Sequence, residues 1–265
     1  MSLKSSLKKV YHKINYNFLI SKFDRSLLDV RKKHTGEIAL FGAPFYYHHG
    51  NAFYDTYKEI FIDKIYNFKT NSETPLIIDC GANMGLSLLY FNQLYPNSNI
   101  LAFEPDTSVL PFLEKNLQSQ VLHNVKLYKN AVWNANEELT FFTDNGMGGR
   151  VRASYNGKDS TTINALRLKD FLNEPVDMLK IDIEGAEYTV LNDCNGRLQN
   201  VKHLFVEYHS DINGEQHLDD ILSILKANGF RYHLKESFSR KNPFVSKHIL
   251  CEKFDLAINV FAYKN

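Results

Sequence analysis

The chain has little cysteine, almost no net charge and no long apolar run. Its 265 residues include three cysteines, and the formal net charge is +1. The cysteines are far apart and form no C-x-x-C pair, which argues against a disulfide framework and a cysteine-based zinc site. We therefore expect a reducing compartment and a cytoplasmic protein. The near-neutral charge gives no indication of a nucleic-acid partner.

The sequence also lacks a recognisable membrane or export segment. No apolar run approaches the length of a membrane span, and no apolar stretch with a cleavage site follows the first residues. Residues 1–35 are basic, with apolar residues at helical spacing. We expect a solvated helix that docks on the rest of the protein. A weak peripheral contact with anionic lipid is the alternative, disfavoured because Asn15 and Asn17 interrupt the apolar face.

Two parts can be distinguished along the chain. Residues 1–70 combine the basic helix with a strand or hairpin at 37–47 and an aromatic-rich helix at 52–68. Residues 71–265 alternate apolar strands with helical patterns, which is typical of an α/β domain. We expect the first part to cap the second and to line the entrance for a substrate.

Three further elements are predicted between the main motifs. The pattern predicts a strand at Val125–Val132, an added β segment at Glu138–Thr143 and a helix within residues 162–173. Residues 144–160 contain four glycines and no core pattern, so they form either a plain loop or a lid over a substrate. In the second case, Arg150 and Arg152 could bind an anionic group of that substrate.

The most informative stretch is Leu76–Phe91. A short apolar strand ends at Asp79, a turn contains Gly81, Asn83 and Gly85, and a helical pattern follows. Strand, glycine turn and helix begin a nucleotide-binding α/β unit. A dinucleotide turn needs G-x-G-x-x-G, and two of its glycine positions are occupied here by asparagine and leucine. The leading acid suits a ligand with an ammonium group better than a pyrophosphate.

Four acidic or polar residues lie at the carboxyl ends of successive predicted strands: Asp79, Glu104, Asn130 and Asp182. In open α/β sheets, ligands bind at this carboxyl edge. Glu104 lies about one βαβ repeat after the glycine turn, where a carboxylate can accept hydrogen bonds from both hydroxyls of a ribose. A helix N-cap is the alternative role, for which Asp106 is better placed.

A third motif leads to a family. The run LKIDIEGAE at Leu179–Glu187, with IIDCGANMG and FEPD before it, closely resembles the FkbM family of S-adenosylmethionine-dependent methyltransferases. The similarity covers about Leu76 to His209. The resemblance implies an α/β, class I Rossmann-like three-layer sandwich whose seven-stranded sheet is mostly parallel. It also implies an antiparallel late strand, for which Leu256–Tyr263 is suited.

The resemblance further implies O-methyl transfer, commonly to a hydroxyl of a sugar, polysaccharide or natural product in bacteria. It assigns the cofactor-binding roles to Asp79, Gly81, Asn83, Gly85, Glu104, Asn130, Ala131 and Asp182. The glycine turn would wrap the methionine portion, with Asp79 as an electrostatic anchor, and Glu104 would hold the ribose. Asn130 and Ala131 would lie against the adenine, and Asp182 beside the sulfonium or amino group.

A sugar hydroxyl is a poor nucleophile, so we expect a general base. The candidates are Asp182, Glu207 and His209; the last two share a strand face by period two, and histidine titrates nearest neutrality. Glu184 would cap the glycine turn that follows Asp182 or contact the substrate. These four residues could instead hold Mg²⁺, because carboxylates suit hard cations. We favour an ion-pair network without a metal.

Two other function classes compete with this interpretation. Methylation of nucleic acid is disfavoured, because the Pro-Pro-Tyr motif of amino-methyltransferases is absent where Asp182-Ile183-Glu184-Gly185 stands. A non-catalytic binding module on a degenerate cofactor fold would have lost Asp79, Gly81 or Glu104, and all three are present.

Overall fold

The computed structural model describes residues 26–142, 150–151, 160–245 and 254–264. In chain order the strands are β1 (Gly36–Leu40), β2 (Ala43–Tyr47), β3 (Leu76–Cys80), β4 (Asn99–Phe103), β5 (Val125–Tyr128), β6 (Ala131–Trp133), β7 (Glu137–Phe142), β8 (Arg150–Val151), β9 (Ser160–Arg167), β10 (Val176–Ile181), β11 (Val201–Asp211), β12 (Arg231–Ser239) and β13 (Phe254–Tyr263). The α-helices are α1 (Gly50–Tyr57), α2 (Leu86–Leu94), α3 (Leu110–Ser119), α4 (Glu187–Cys194) and α5 (Leu218–Ala227). Residues 26–31 are also helical.

The central sheet has seven strands in the order β12, β13, β11, β10, β3, β4 and β5. The ladders from β11 through β10, β3 and β4 to β5 are all parallel. Strand β13 is antiparallel to both of its neighbours, β11 and β12. The predicted fold class is thereby confirmed, including the late antiparallel strand.

Helices cover both faces of the sheet, and the sequence of the middle strands reflects this. All six residues of β10 are buried, as expected for a parallel strand with packing on both sides. On one face, Ile77 of β3 packs in a core with Phe91 of α2. On the other, Leu179 of β10 packs in a core with Val190 of α4 and Ile221 of α5.

The segment before β3 completes the first of these cores. The hairpin β1–β2 and helix α1 contribute aromatic side chains to it, and the Tyr66 ring lies 4.9 Å from that of Phe205 in β11. Asn116 of α3 joins this cap to the glycine turn: its Oδ1 accepts from the Tyr46 N–H at 2.6 Å, and its Nδ2 donates to the Met84 oxygen at 2.9 Å. The cap and the sheet therefore share one hydrophobic core.

The helix predicted at 52–68 is shorter and begins earlier than expected. It starts at Gly50, with His49 as N-cap, and after Tyr57 it continues as a π-helical turn over Lys58–Ile62. A π-helical turn tilts the backbone locally and often occurs beside functional sites. Glu59 stands on this turn, and burial raises the pKa of its carboxyl group.

Two of the predicted elements were wrong. The strand expected at Val125–Val132 ends at Tyr128, and β6 belongs to a second, four-stranded sheet of order β6, β9, β7 and β8. The helix expected within 162–173 is strand β9 followed by a 3-10 turn at Leu168–Phe171. Ile163 and Ala165 alternate with exposed residues and pair with β7, so long-range pairing overrides the local helical spacing. Within the described ranges, no helix is both long and apolar enough to span a membrane.

Candidate active site

The turn after β3 follows a backbone path that most residues avoid. Gly81, Asn83 and Gly85 have positive φ angles of +87°, +46° and +92°. A Cβ atom on Gly81 would lie 1.9 Å from the main-chain oxygen of Asp182, so only glycine fits there. The Gly81 N–H donates to the Phe103 oxygen at 3.0 Å. The turn is therefore held between the ends of β4 and β10.

Glu104 follows β4 and is buried beside this turn. Its carboxylate accepts hydrogen bonds from the main-chain N–H groups of Asn83, at 2.8 Å, and Asp106, at 2.9 Å. Burial raises the pKa of Glu104 to about 7, although the two N–H groups act in the opposite direction. Each carboxylate oxygen can accept a second hydrogen bond. The group can therefore receive two hydroxyl donors from a ligand.

A cleft of about 700 Å³ opens over this carboxylate. One wall is apolar and includes Val109, Val132 and Phe141. Six of the predicted site residues line the cleft: Gly81, Asn83, Glu104, Ala131, Asp182 and Glu184. The polar floor suits the ribose of a nucleoside, and the apolar wall suits its base.

Other predicted residues take different positions. The Asn130 side chain donates to the main-chain oxygen of Asn164 at 3.1 Å and does not line the cleft. Gly85 forms the N-cap of α2 beneath the turn. Because it has no Cβ atom, there is room for the side chain of Leu113. The backbone of Arg150 pairs with β7, and its side chain lies outside the part of the protein that the structure describes. Arg152 lies outside the described residues.

Asp79 is fully buried under the glycine turn and is paired with Lys180 of the neighbouring strand. Lys180 Nζ lies 3.1 Å from Asp79 Oδ1 and 3.5 Å from Asp182 Oδ2, and it donates to the Gly81 oxygen at 2.9 Å. Burial would lower the pKa of Lys180, but Asp79 and its other anionic neighbours raise it well above its ordinary value. Burial raises the pKa of Asp79. The pair therefore locks the turn to β10.

A second cavity of about 360 Å³ adjoins the cleft at Gly81, Asn83 and Asp182. Lys180 lines it together with Tyr66 of the cap segment. Lys180 belongs to the motif that resembles the FkbM family, but the sequence assigned no role to it. Its position inside a strand that is otherwise mostly apolar was the signal that could have indicated one.

Replacing Lys180 by methionine should destabilise the protein by about 3–5 kcal/mol, because it leaves the Asp79 carboxylate buried without its partner. Chemical denaturation of the two proteins measures the loss. Adding Asp79→Asn to this variant should recover part of the stability, since the uncompensated charge is removed. A loss below about 1 kcal/mol would contradict a structural role for the ion pair.

The three predicted base candidates lie close together, and one of them, Asp182, lines both cavities. Asp182, Glu207 and His209 each offer an atom within 4.8 Å of the others. Strand β11 is long enough to carry Glu207 and His209 past the end of β10, where Asp182 begins the next turn. Burial and the nearby Asp182 raise the pKa of Glu207 to about 8.

His209 is held by two carboxylates. Its Nδ1 lies 3.1 Å from Glu187 Oε1, and its Nε2 lies 3.7 Å from Glu184 Oε2. Burial would lower the pKa of His209, but Glu184 and Glu187 outweigh it and raise the pKa well above its ordinary value. The imidazole is therefore cationic near neutral pH. A cationic imidazole cannot take up another proton, so this geometry weighs against His209 as the base.

Glu187 also takes the capping role that the sequence suggested for Glu184. Its carboxylate accepts from the Gly185 N–H at 2.9 Å and from the Ile183 N–H at 3.3 Å. Glu187 stands in the first turn of α4, where an acidic side chain is favoured. This position was the signal that could have predicted its capping role. Glu184, with a φ of +57°, instead lines the cleft.

Strand order, glycine turn and cleft together define a class I methyltransferase fold with a site for a nucleoside-containing cofactor. The model of the methyltransferase FkbM domain matches residues 79–232, which is more than half of the chain. The chain belongs to the FkbM methyltransferase family.

Three curated relatives illustrate the similarity. Methyltransferase 1 of Beauveria bassiana is 30% identical over 164 residues, and methyltransferase sdnD of Sordaria araneosa is 31% identical over 182 residues. Each alignment covers 51% of this chain, and 64% and 66% of those relatives respectively. The 2-O-methyltransferase NoeI of Sinorhizobium fredii is 25% identical over 176 residues, covering 58% of this chain and 72% of NoeI. The chain thus matches a little under two thirds of the length of the first two relatives.

Proposed function

We propose that the protein is an S-adenosylmethionine-dependent O-methyltransferase that acts on a hydroxyl of a sugar, polysaccharide or natural product. The observation that carries the proposal is the position of Asp182, which lines both cavities and lies beside Glu207 and His209. The cofactor supplies an electrophilic methyl group on its sulfonium. This site therefore joins a nucleoside cleft to two carboxylates, Asp182 and Glu207, that can accept a proton.

The residues of the cleft fit this cofactor. Glu104 would accept the ribose hydroxyls, Ala131 belongs to the wall against which the adenine would lie, and the turn at Gly81 gives close access to the backbone. In the second cavity, Lys180 offers a cation to a carboxylate, and Asp182 offers an anion to an ammonium or sulfonium. Asp79 acts through Lys180, because its carboxylate is fully buried.

A carboxylate is the best candidate for the base. Burial and the negative charge of Asp182 raise the pKa of Glu207 to about 8, close to the pH at which a proton acceptor works efficiently. His209 supports these anions as a cation. Positioning the hydroxyl beside this cluster does much of the remaining work in an in-line displacement.

Support for oxygen as the methylated atom comes from NoeI, a 2-O-methyltransferase by name. A Mg²⁺ ion at Asp182, Glu207 and His209 stays a prediction. It would require His209 to give up its proton and its approach to Glu184, which makes the metal-free network the simpler arrangement. The cytoplasmic location likewise stays a prediction.

The proposal is tested by calorimetry with S-adenosylhomocysteine and by methyl transfer to a panel of free hexoses and deoxyhexoses. We expect binding of S-adenosylhomocysteine and release of the same compound from S-adenosylmethionine when an acceptor is present. Below pH 8, turnover should rise with pH by up to about tenfold per unit, because ionised Glu207 is the proton acceptor.

Glu207→Gln should lower turnover by about 10²–10⁴-fold and leave the affinity for S-adenosylhomocysteine nearly unchanged. Glu215→Gln, an exposed change on the loop after the same strand, is the matched control and should behave as wild type. Loss of turnover in EDTA, restored by Mg²⁺, would replace the carboxylate-base interpretation by a metal-dependent one. Binding of NADH in place of S-adenosylhomocysteine would contradict the proposal as a whole.

A further inference from the structure

Two amide side chains of helix α3 hold the outer edge of the cap hairpin. Strand β2 pairs with β1 along one edge, and its other edge faces α3. Asn116 binds Tyr46 there as a neighbouring strand would: its Oδ1 accepts from the Tyr46 N–H at 2.6 Å, and its Nδ2 donates to the Tyr46 oxygen at 2.8 Å. One helical turn further on, Gln120 Nε2 donates to the oxygens of Ala43, at 3.2 Å, and Pro44, at 3.0 Å. These hydrogen bonds are directional and therefore fix the position of the hairpin on α3.

A third hydrogen bond of Asn116 reaches the glycine turn. Its Nδ2 also donates to the Met84 oxygen, at 2.9 Å. A side-chain amide has two N–H donors, so Asn116 uses one on the hairpin and the other on the turn. Asn116 is 1% exposed, and a buried polar group that loses its partner destabilises the folded state. The hairpin and the turn therefore cannot move apart without leaving buried groups unpaired.

The carbonyl group that Asn116 holds belongs to the strained part of the turn. Met84 stands between Asn83 and Gly85, whose φ angles are +46° and +92°. Met84 lines the second cavity, which adjoins the cofactor cleft. On the β4 side, Glu104 holds the turn through the Asn83 N–H at 2.8 Å. Asn116 supplies the corresponding anchor on the α3 side.

We propose that Asn116 is a positioning residue for the cofactor, which holds the glycine turn in its binding conformation and couples that conformation to the docking of the cap hairpin. Asn116 is not among the described residues that line the two cavities, so it acts through Met84. Coupling between two equilibria is reciprocal. If the docked hairpin strengthens cofactor binding, bound cofactor strengthens hairpin docking by the same factor. This inference rests on the proposed methyltransferase function and adds the cap to the parts of the chain that determine cofactor affinity.

Asn116→Asp tests the role of the side-chain amide. The substitution keeps the shape of the side chain and an acceptor for the Tyr46 N–H, but it removes both N–H donors. We expect the variant to bind S-adenosylhomocysteine at least about tenfold more weakly than wild type, because the Met84 oxygen loses the donor that orients it. Calorimetry measures the affinity, and circular dichroism checks the fold. Wild-type affinity in the folded variant would overturn the inference.

Gln120→Glu is the matched control. It makes the same change from amide to acid on the same helix, but Gln120 bonds to the hairpin and not to the glycine turn. The variant should lose stability and bind S-adenosylhomocysteine within about twofold of wild type, since Asn116 still joins the hairpin to the turn. Equal losses of affinity in the two variants would contradict a specific role for Asn116.

Hydrogen exchange tests the coupling in the wild-type full chain, so it does not depend on whether Asn116→Asp folds. Bound S-adenosylhomocysteine should slow the exchange of the Tyr46 amide by about tenfold, because the hairpin has to leave Asn116 before that amide exchanges. The amides of the exposed edge strand β12 open away from the turn and should not slow. A protein that binds S-adenosylhomocysteine without slowing the Tyr46 amide more than β12 contradicts this inference alone. A protein that does not bind S-adenosylhomocysteine contradicts the proposed function as well.

Discussion

Replacing Gly81 by alanine should reduce the affinity for S-adenosylhomocysteine by at least about 100-fold. Two physical terms act together at this position. The φ of +87° costs an L-residue about 1–2 kcal/mol. In addition, the new Cβ would meet the Asp182 oxygen at 1.9 Å, and that oxygen belongs to the backbone and cannot rotate away. Either the turn or the end of β10 has to move, and both form the proposed cofactor site.

Gly196→Ala is the matched control for this experiment. Gly196 has nearly the same φ, +86°, but its added Cβ meets nothing within 4 Å. It should therefore lose stability by the backbone term alone and keep its affinity. Calorimetry measures the binding, and circular dichroism at the same temperature checks that both variants are folded. Equal affinities of the two folded variants would show that the turn does not contact the cofactor.

Binding of S-adenosylhomocysteine should strengthen with pH by up to about tenfold per unit below pH 7, and then level off. The cause is Glu104, whose pKa is raised to about 7 by burial. Ligand hydroxyls donate to the ionised carboxylate and favour it, so binding releases a proton in this range. Two charged groups act on Glu104: Asp106 disfavours its ionised form, and Lys180 favours it.

The raised pKa of Glu104 also makes the stability of the folded protein depend on pH. In the unliganded protein the pKa of Glu104 rises from 4.5 to about 7, so folding favours the protonated group. The contribution of Glu104 to stability therefore falls as pH increases from about 4.5 to 7, and bound ligand offsets this loss. Calorimetry in two buffers of different ionisation enthalpy counts the released proton.

Glu104→Gln serves as the control for the pH effect. It removes the titrating group, so its weaker binding should not depend on pH in this window. If wild-type affinity is flat between pH 5.5 and 8, or if the variant keeps full affinity, the ribose role of Glu104 is wrong. Glu207 titrates about one unit higher and lies at the acceptor end of the site, so the pH dependences of binding and of turnover can be separated.

Much of the proposed cofactor site could be predicted from the sequence, because the residues that form it belong to short local motifs. The spacing of Asp79, Gly81, Asn83 and Gly85 specifies a sharp turn between a strand and a helix, and the structure shows three of these residues at positive φ. Glu104 was found by its distance along the chain from that turn. Where local signals were ambiguous, as at 125–132 and 162–173, pairing with distant strands decided the outcome.

The acceptor side was less accessible to sequence reasoning. Asn259 lies 52 residues after Glu207 in the chain, and only the antiparallel pairing of β13 with β11 places the two residues opposite each other. His209 was one of three candidate bases, and its ordinary pKa near neutrality was the argument for it. Its partners Glu184 and Glu187 change that pKa, and their proximity depends on the turn after β10.

The amino-acid sequence by itself determined the family, the class I fold and the glycine turn with its downstream acid. These properties follow from short-range patterns of glycine, apolar residues and acids, which constrain the backbone within one βα unit. Only the tertiary structure decided that Asp79 acts through the buried Lys180 and that His209 is cationic. It alone placed Asn259 opposite Glu207, because strand pairing, burial and charge proximity arise when distant segments pack together.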